Sequence, residues 1–315
     1  MNKLFVRTLC AVLILIVLLS VILTSCTIIR EDETTTASNN SNGSTSATAV
    51  TTVKTEKPKL TADKMEDGQM LVEFLKIGKA DCIIINENGH TVMIDAGESD
   101  DRSDIFSRII LDKIDKIDYL IITHFHNDHI GSAAEVIKTY DIGTIIEPTM
   151  TPENQESEVY IAYKEALKNT SATVISTDDE YTFTLGDMSF RVYGSGKTYD
   201  KDNDNNSSLV TELTHAGHSF LFAADAEKDR ITDLIADGIG KFDFLKVPHH
   251  GTYNKMSYKF IDTVSPKYAV VTCSDKNEAD FIVLEYMKNK GIEAYQTLDG
   301  NIFLVSDSGG ITIYQ

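Results

Sequence analysis

The chain has 315 residues, of which 42% are hydrophobic, enough for a sizeable core in one large domain and too apolar for a wholly disordered chain. Its formal net charge is −19. Such a surface repels long polyanions unless metals or a local basic patch reverse the field, so nucleic acid is disfavoured as a partner, though not excluded.

The first 25 residues read as a targeting segment. Lys3 and Arg7 give a positive end, and residues 9–23 are almost entirely apolar, the length of a signal-peptide core and short for a membrane span. Removing this segment brings the net charge from −19 to −21. Leu23-Thr24-Ser25-Cys26 then resembles a bacterial lipobox, which implies cleavage before Cys26 and lipidation of that residue. An uncleaved N-terminal anchor is the alternative, and both place the body outside the cytoplasm, attached to the membrane. Residues 26–68 read as the lipidated Cys and a disordered linker, because the Ser/Thr/Asn-rich run has no apolar periodicity.

The folded body is expected over 69–315. Residues 70–77, 82–86 and 91–95 read as strands, with Asn88-Gly89 as a hairpin turn. A helix is predicted over 105–114 and a buried strand over 117–123. Helices over 132–140 and 156–168 bracket a strand at 144–147. The second half predicts strands at 174–176, 181–185 and 189–193, then a hairpin of 208–214 and 219–224. After it come a helix at 228–236, a strand at 242–247, a helix at 258–264 and a strand at 268–272. A helix at 278–290 and strands at 293–296, 302–305 and 311–314 close the chain. Each half places hairpins first and strand–helix units later, the pattern of two packed sheets with helices on their outer faces.

Chemistry concentrates after the strand at 117–123. His124-Phe-His126-Asn-Asp128-His129 puts three imidazoles and a carboxylate in six residues. In extended backbone, residues two apart point the same way, so His124 and His126 can clasp one cation. Asp128 and His129, where the chain turns, can face a second. Three further polar clusters follow apolar strands: Asp95, Asp225 with Glu227, and His249-His250 with Gly251 and Thr252. Strand ends of this kind converge on one edge of a sheet protein. Imidazole and carboxylate without thiolate suit Zn²⁺, Mn²⁺ or Fe²⁺. Cys82 and Cys273 lack metal-binding spacing; a disulfide between them is left open. His90, His215 and His218 read as turn residues, and Lys246, Thr252 and Tyr253 as possible substrate contacts.

His-x-His-x-Asp-His followed by Asp and His at strand ends resembles the metallo-β-lactamase-fold hydrolases over about residues 69–315. The likeness is closest to the ComEC-like metallo-hydrolase domains of bacterial DNA uptake. It is carried by Ile77-Gly-Lys-Ala-Asp81-Cys with Met93-Ile-Asp95-Ala-Gly97, Asn205-Asn-Ser-Ser208, Ala224-Asp225-Ala-Glu227 and Lys246-Val-Pro-His249-His250-Gly251. The resemblance implies an α/β, four-layer αββα sandwich of two mixed sheets and two divalent ions, zinc or alternatively manganese. His124 and His126 would hold the first ion, and Asp128, His129 and a His of the 249–250 pair, with His249 preferred, the second. Asp225 would bridge them. Asp95 would orient a ligand imidazole, and Asn205 stands where many relatives carry a further His. Asp128 would take a proton from water and His250 would assist the leaving group. The expected activity is hydrolysis of a phosphodiester. A lactone, thioester or β-lactam is the alternative substrate, and a binding protein with a relic site the non-enzymatic one.

Overall fold

The computed structural model describes residues 60–150, 152–199 and 204–315. The targeting segment, Cys26 and most of the linker lie outside the described residues.

The chain begins its first sheet with β1 (Met70–Phe74), β2 (Ile83–Glu87) and β3 (His90–Ile94), three antiparallel neighbours. They are buried along almost their whole length because both faces are covered; a sheet open to water on one face would alternate. Asn88 and Gly89 at φ 48° and 81° make the turn between β2 and β3. From there the chain alternates. Helix α1 (Arg102–Leu111) leads to β4 (Lys116–Ile121). The single turn α2 (Asn127–Ile130) and α3 (Ala133–Thr139) lead to β5 (Asp141–Pro148), and α4 (Glu158–Asn169) to β6 (Thr173–Thr177). Strands β3 to β6 run parallel.

The second sheet mirrors this plan. An antiparallel meander of β7 (Glu180–Leu185), β8 (Met188–Tyr193), β9 (Val210–His215) and β10 (His218–Phe222) precedes three parallel additions. These are β11 (Phe244–Lys246), β12 (Tyr268–Val271) and β13 (Glu293–Gln296). Helices α5 (Lys228–Ala236), α6 (Ser257–Val264) and α7 (Phe281–Asn289) connect them. The chain then returns to the first sheet as β14 (Ile302–Asp307) and β15 (Gly310–Tyr314). The orders are β15-β14-β1-β2-β3-β4-β5-β6 and β13-β12-β11-β10-β9-β8-β7.

Three apolar layers hold these elements together. Between the sheets, Phe74, Phe220, Phe222 and Phe244 pack with Ile83, Ile94, Val192 and Leu304. The Phe74 and Phe244 rings are 5.5 Å apart. A second layer joins the first sheet to α1, α3 and α4 through Ile105, Ile109, Val136 and Tyr163. A third joins the other sheet to α5, α6 and α7 through Ile231, Phe260, Val283 and Met287. The predicted αββα sandwich is therefore the architecture. Cys82 lies in the second layer and Cys273 in the third, both buried and free, so no disulfide joins them.

Residues 60–68, expected within the linker, in part pack on the body. Arg108 donates from Nη2 to the Leu60 carbonyl at 2.8 Å, and the Ala62 N–H donates to Asp112 Oδ1 at 3.0 Å. Arg108 is itself buried between Glu73 and Asp112. Ala62, Asp63 and Met65 border a cleft shared with Asn88, Gly89 and Lys116. Those residues mark the start of β3 and β4, the end opposite to Asp95 and His124.

Candidate metal centre

Beyond β4 the backbone stays extended through His126 (φ −69°, ψ 153°). Alternation then sends Phe125 one way, against the Tyr160 and Tyr163 rings at 5.2 and 6.0 Å, and the two flanking imidazoles the other. His124 Nε2 comes to 3.1 Å from His126 Nδ1. The one-turn α2 brings Asp128 and His129 in beside them, where sequence reasoning expected a loop. Gly131 closes that turn. A Cβ there would lie 2.4 Å from the Glu98 carbonyl carbon, so only glycine fits.

Each buried imidazole has one nitrogen spoken for. His129 Nδ1 lies 2.7 Å from Asp95 Oδ2. His124 Nδ1 lies 3.1 Å from Thr123 Oγ1, whose hydroxyl donates to Asp95 Oδ2 at 2.7 Å. His250 Nδ1 lies 3.0 Å from Thr272 Oγ1, whose hydroxyl donates to Asp81 Oδ1 at 2.6 Å. A hydroxyl that donates to a carboxylate accepts from the ring, so Nδ1 carries a proton and Nε2 is the nitrogen turned into the site. His129 Nε2, His250 Nε2 and Asp225 Oδ1 are buried without a hydrogen-bond partner. Buried polar atoms are rarely left so, and the two imidazole nitrogens converge on the other oxygen of Asp225, while Oδ1 faces Lys246. His250 Nε2 is 3.1 Å from Asp225 Oδ2 and 3.6 Å from Asp128 Oδ2, and His129 Nε2 is 3.4 Å from Asp225 Oδ2. Among the described residues, Asp128, His129, Asp225 and His250 form a group whose ligand atoms all lie within 4.8 Å of one another. Imidazole nitrogens facing carboxylates suit a divalent cation of the Zn²⁺ or Mn²⁺ kind. His124 and His126 form a looser pair on the adjoining side.

The electrostatics fit the same reading. Burial alone would raise the Asp225 and Asp128 carboxyls and lower the His129 and His250 imidazoles, but their mutual attraction outweighs it, holding both carboxyls well below and both imidazoles above their ordinary ranges. Lys246, read as a substrate contact, is instead wholly buried. It pairs with Asp81, lies 3.8 Å from Asp225 Oδ1 and donates to the Ala224 carbonyl at 3.2 Å. Burial would lower its ammonium, yet these carboxylates keep it protonated. Backbone strain gathers here too: Asp95, Ala224, His249 and His250 hold φ of 59°, 47°, 47° and 53°. Non-glycine residues keep such angles where surrounding structure enforces them, commonly at functional sites.

The structure thus brings together His124, His126, Asp128, His129, Asp225 and Asp95. The imidazole packed inward is His250, whereas the sequence reading preferred His249. His249 lies nearer the rim, its side chain 24% exposed, with Nδ1 3.1 Å from Glu227 Oε1 and Nε2 4.0 Å from Asp225 Oδ2. Two successive left-handed residues send adjacent side chains apart, which sequence spacing cannot show. His250, not His249, is thus the one grouped with Asp128, His129 and Asp225. Asn205 Nδ2 donates to Glu227 Oε1 at 3.0 Å and approaches His249 Nε2 at 3.5 Å. Asp204, unremarked in the sequence, has Oδ2 3.9 Å from His126 Nε2. Asp81 was also missed as a site residue, although a carboxylate set between Ala80 and Cys82 at the head of an apolar strand was its signal. His215 is not an exposed turn residue. It is buried beside Ser306 Oγ at 3.2 Å, at the end of β9 far from Asp225.

The profile of the metallo-beta-lactamase superfamily matches residues 76–274. The chain belongs to that superfamily. ComE operon protein 3 of Bacillus subtilis (strain 168) is 29% identical over 167 residues, 52% of this chain and 21% of that protein. Recombination protein 2 of Haemophilus influenzae is 24% identical over 214 residues, 67% of this chain and 25% of that one. The chain thus spans a quarter or less of the length of these ComEC-like relatives. Among solved structures, the metallo-beta-lactamase fold protein YhfI from Bacillus subtilis is 13% identical, with TM-score 0.48, over 78% of this chain and 100% of the other.

The placement of the two histidines has a direct test. His250→Ala is expected to lose about one equivalent of bound metal and about a hundredfold or more in turnover, while His249→Ala keeps its metal. Elemental analysis of both variants decides it; loss of metal from His249→Ala alone restores the opposite assignment.

Proposed function

We propose that this metallo-beta-lactamase superfamily hydrolase cleaves a phosphodiester outside the cytoplasm, tethered by a lipid on Cys26. The observation that carries the hydrolytic reading is the convergence of His129 Nε2 and His250 Nε2, both buried without a hydrogen-bond partner, on Asp225 Oδ2 beside Asp128. His124 and His126 would hold one cation, Asp128, His129 and His250 the other, with Asp225 between. When bound, such a pair lowers the pKa of a shared water and offsets charge that develops on the phosphoryl oxygens.

The chain's own residues do the rest. Asp95 and Asp81 fix the imidazole tautomers, directly or through Thr123 and Thr272, so that Nε2 of His129, His124 and His250 faces the cations. Asp128 accepts a proton from the attacking water. His249, at the rim with Glu227 on Nδ1, is placed to give a proton to the leaving oxygen. The diester bond type is supported by the likeness to ComEC-like relatives, and the net charge of −19 favours a short diester over a long polyanion.

The test assays the metal-loaded protein on a chromogenic phosphodiester and a chromogenic ester side by side. Diester hydrolysis is expected to dominate, to vanish on chelation and to return with Mn²⁺ or Zn²⁺. Faster ester cleavage rejects the bond type, and full activity after complete metal removal rejects the mechanism. In bacterial cells expressing the full chain, radiolabelled palmitate should enter the wild type but not Cys26→Ser.

A further inference from the structure

Two ammonium groups are paired with the carboxylates of the centre, and they differ in exposure. Lys246 is sealed in, whereas the Lys79 side chain is 38% exposed with Nζ 2.8 Å from Asp128 Oδ2. The Lys79 backbone is held firmly. Gly78 takes φ 75°, Ala80 and Asp81 are buried, the Asp81 N–H donates to the Asp128 carbonyl at 3.0 Å, and the Asp81 carbonyl accepts from the Gly97 N–H at 2.8 Å. The loop is therefore stitched to the turn that carries Asp128 and His129, and it projects one flexible cation over the mouth.

We propose that Lys79 forms an anion-binding subsite at the mouth, taking a phosphoryl oxygen of the substrate; this deepens the phosphodiester reading and rests on it. Asp128 is among the residues placed to hold a divalent cation. A carboxylate so engaged has little charge left for an ammonium, and the like charge of the cation pushes Nζ away from it. The exposed half of the side chain opens to solvent, where a phosphoryl oxygen restores a charge-assisted hydrogen bond. On a body of net charge −19, a cation in this place discriminates between substrates. A diester gains from it, while a neutral lactone or ester carbonyl, with no net charge, gains far less.

The experiment titrates inorganic phosphate into Mn²⁺-loaded wild type, Lys79→Met and Lys79→Arg by calorimetry, with metal content measured on each. Phosphate affinity is expected to fall about tenfold or more in Lys79→Met and to recover in Lys79→Arg, with metal content unchanged. In steady state, the diester KM rises in Lys79→Met while the KM for a neutral ester does not. Equal phosphate affinity in all three proteins, no phosphate binding by the wild type, or loss of metal from Lys79→Met overturns the subsite. Lys79-dependent phosphate binding in a wild type that cleaves only the neutral ester supports the subsite and overturns the diester reading.

Discussion

Asp225→Ala is expected to abolish turnover, by about a thousandfold or more in kcat/KM, and to strip metal from the protein. Asp225 is the carboxylate on which the site closes: Oδ2 lies 3.1 Å from His250 Nε2 and 3.4 Å from His129 Nε2, and Oδ1 faces Lys246 at 3.8 Å. Alanine removes the negative charge that faces two imidazoles and a buried ammonium. Cations then meet an excess of positive charge, and a thousandfold loss corresponds to roughly 4 kcal/mol of lost stabilisation. The three layers of apolar packing do not involve this side chain, so circular dichroism should be native-like. Asp225→Asn keeps the shape but not the charge and should fail almost as badly. Native turnover and metal content in Asp225→Ala would show that the reaction takes place elsewhere.

The largest effect on stability is expected from Arg230→Met. This arginine is 1% exposed in the first turn of α5. Its guanidinium donates from Nη2 to the Tyr193 carbonyl at 2.8 Å and to the Gly194 carbonyl at 2.7 Å, and from Nε to the Ser208 carbonyl at 3.3 Å. Methionine fills part of the volume but donates nothing, leaving carbonyls at both ends of the β8–β9 connection short of a partner. The loss should be about 3–5 kcal/mol. For a body of this size that is a drop on the order of 10 °C in Tm, read by calorimetry. The Ser208 hydroxyl, 3.5 Å from His124 Nδ1, moves with the loop, so metal affinity should weaken as well. A Tm within about 2 °C of wild type would mean that water satisfies those carbonyls at little cost.

Most of the sandwich was legible because it is written in local pattern. Central strands such as β12 and the first half of β2 stand out as apolar runs, and β8 as an alternation of buried and exposed residues; helix α5 and strand β13 have the bounds that periodicity predicts. The six-residue motif was legible because ligand density in one turn needs no knowledge of tertiary structure. What escaped depends on contacts distant in sequence. Lys246 looks like any strand-end lysine until Asp81, 165 positions earlier, is found beside it. The choice between His249 and His250 turns on two left-handed residues in a row, a backbone state with no residue signature when neither is glycine. The packed stretch after Leu60 is polar enough to pass for linker, and only Arg108, reaching from α1, gives it a place. His215 sits at a hairpin end, but the returning β14 covers it.

That docking of Leu60 and Ala62 has a practical reach. Residue 60 joins the body beside the Asn88-Gly89 turn, at the blunt pole, while His126 and Lys79 open at the other. A bead, probe or fusion partner coupled ahead of residue 60 therefore grips the molecule from behind and leaves the catalytic opening unobstructed. Trimming into residues 60–64 would instead uncap the Glu73–Arg108–Asp112 charges, so any shortened form should keep Leu60.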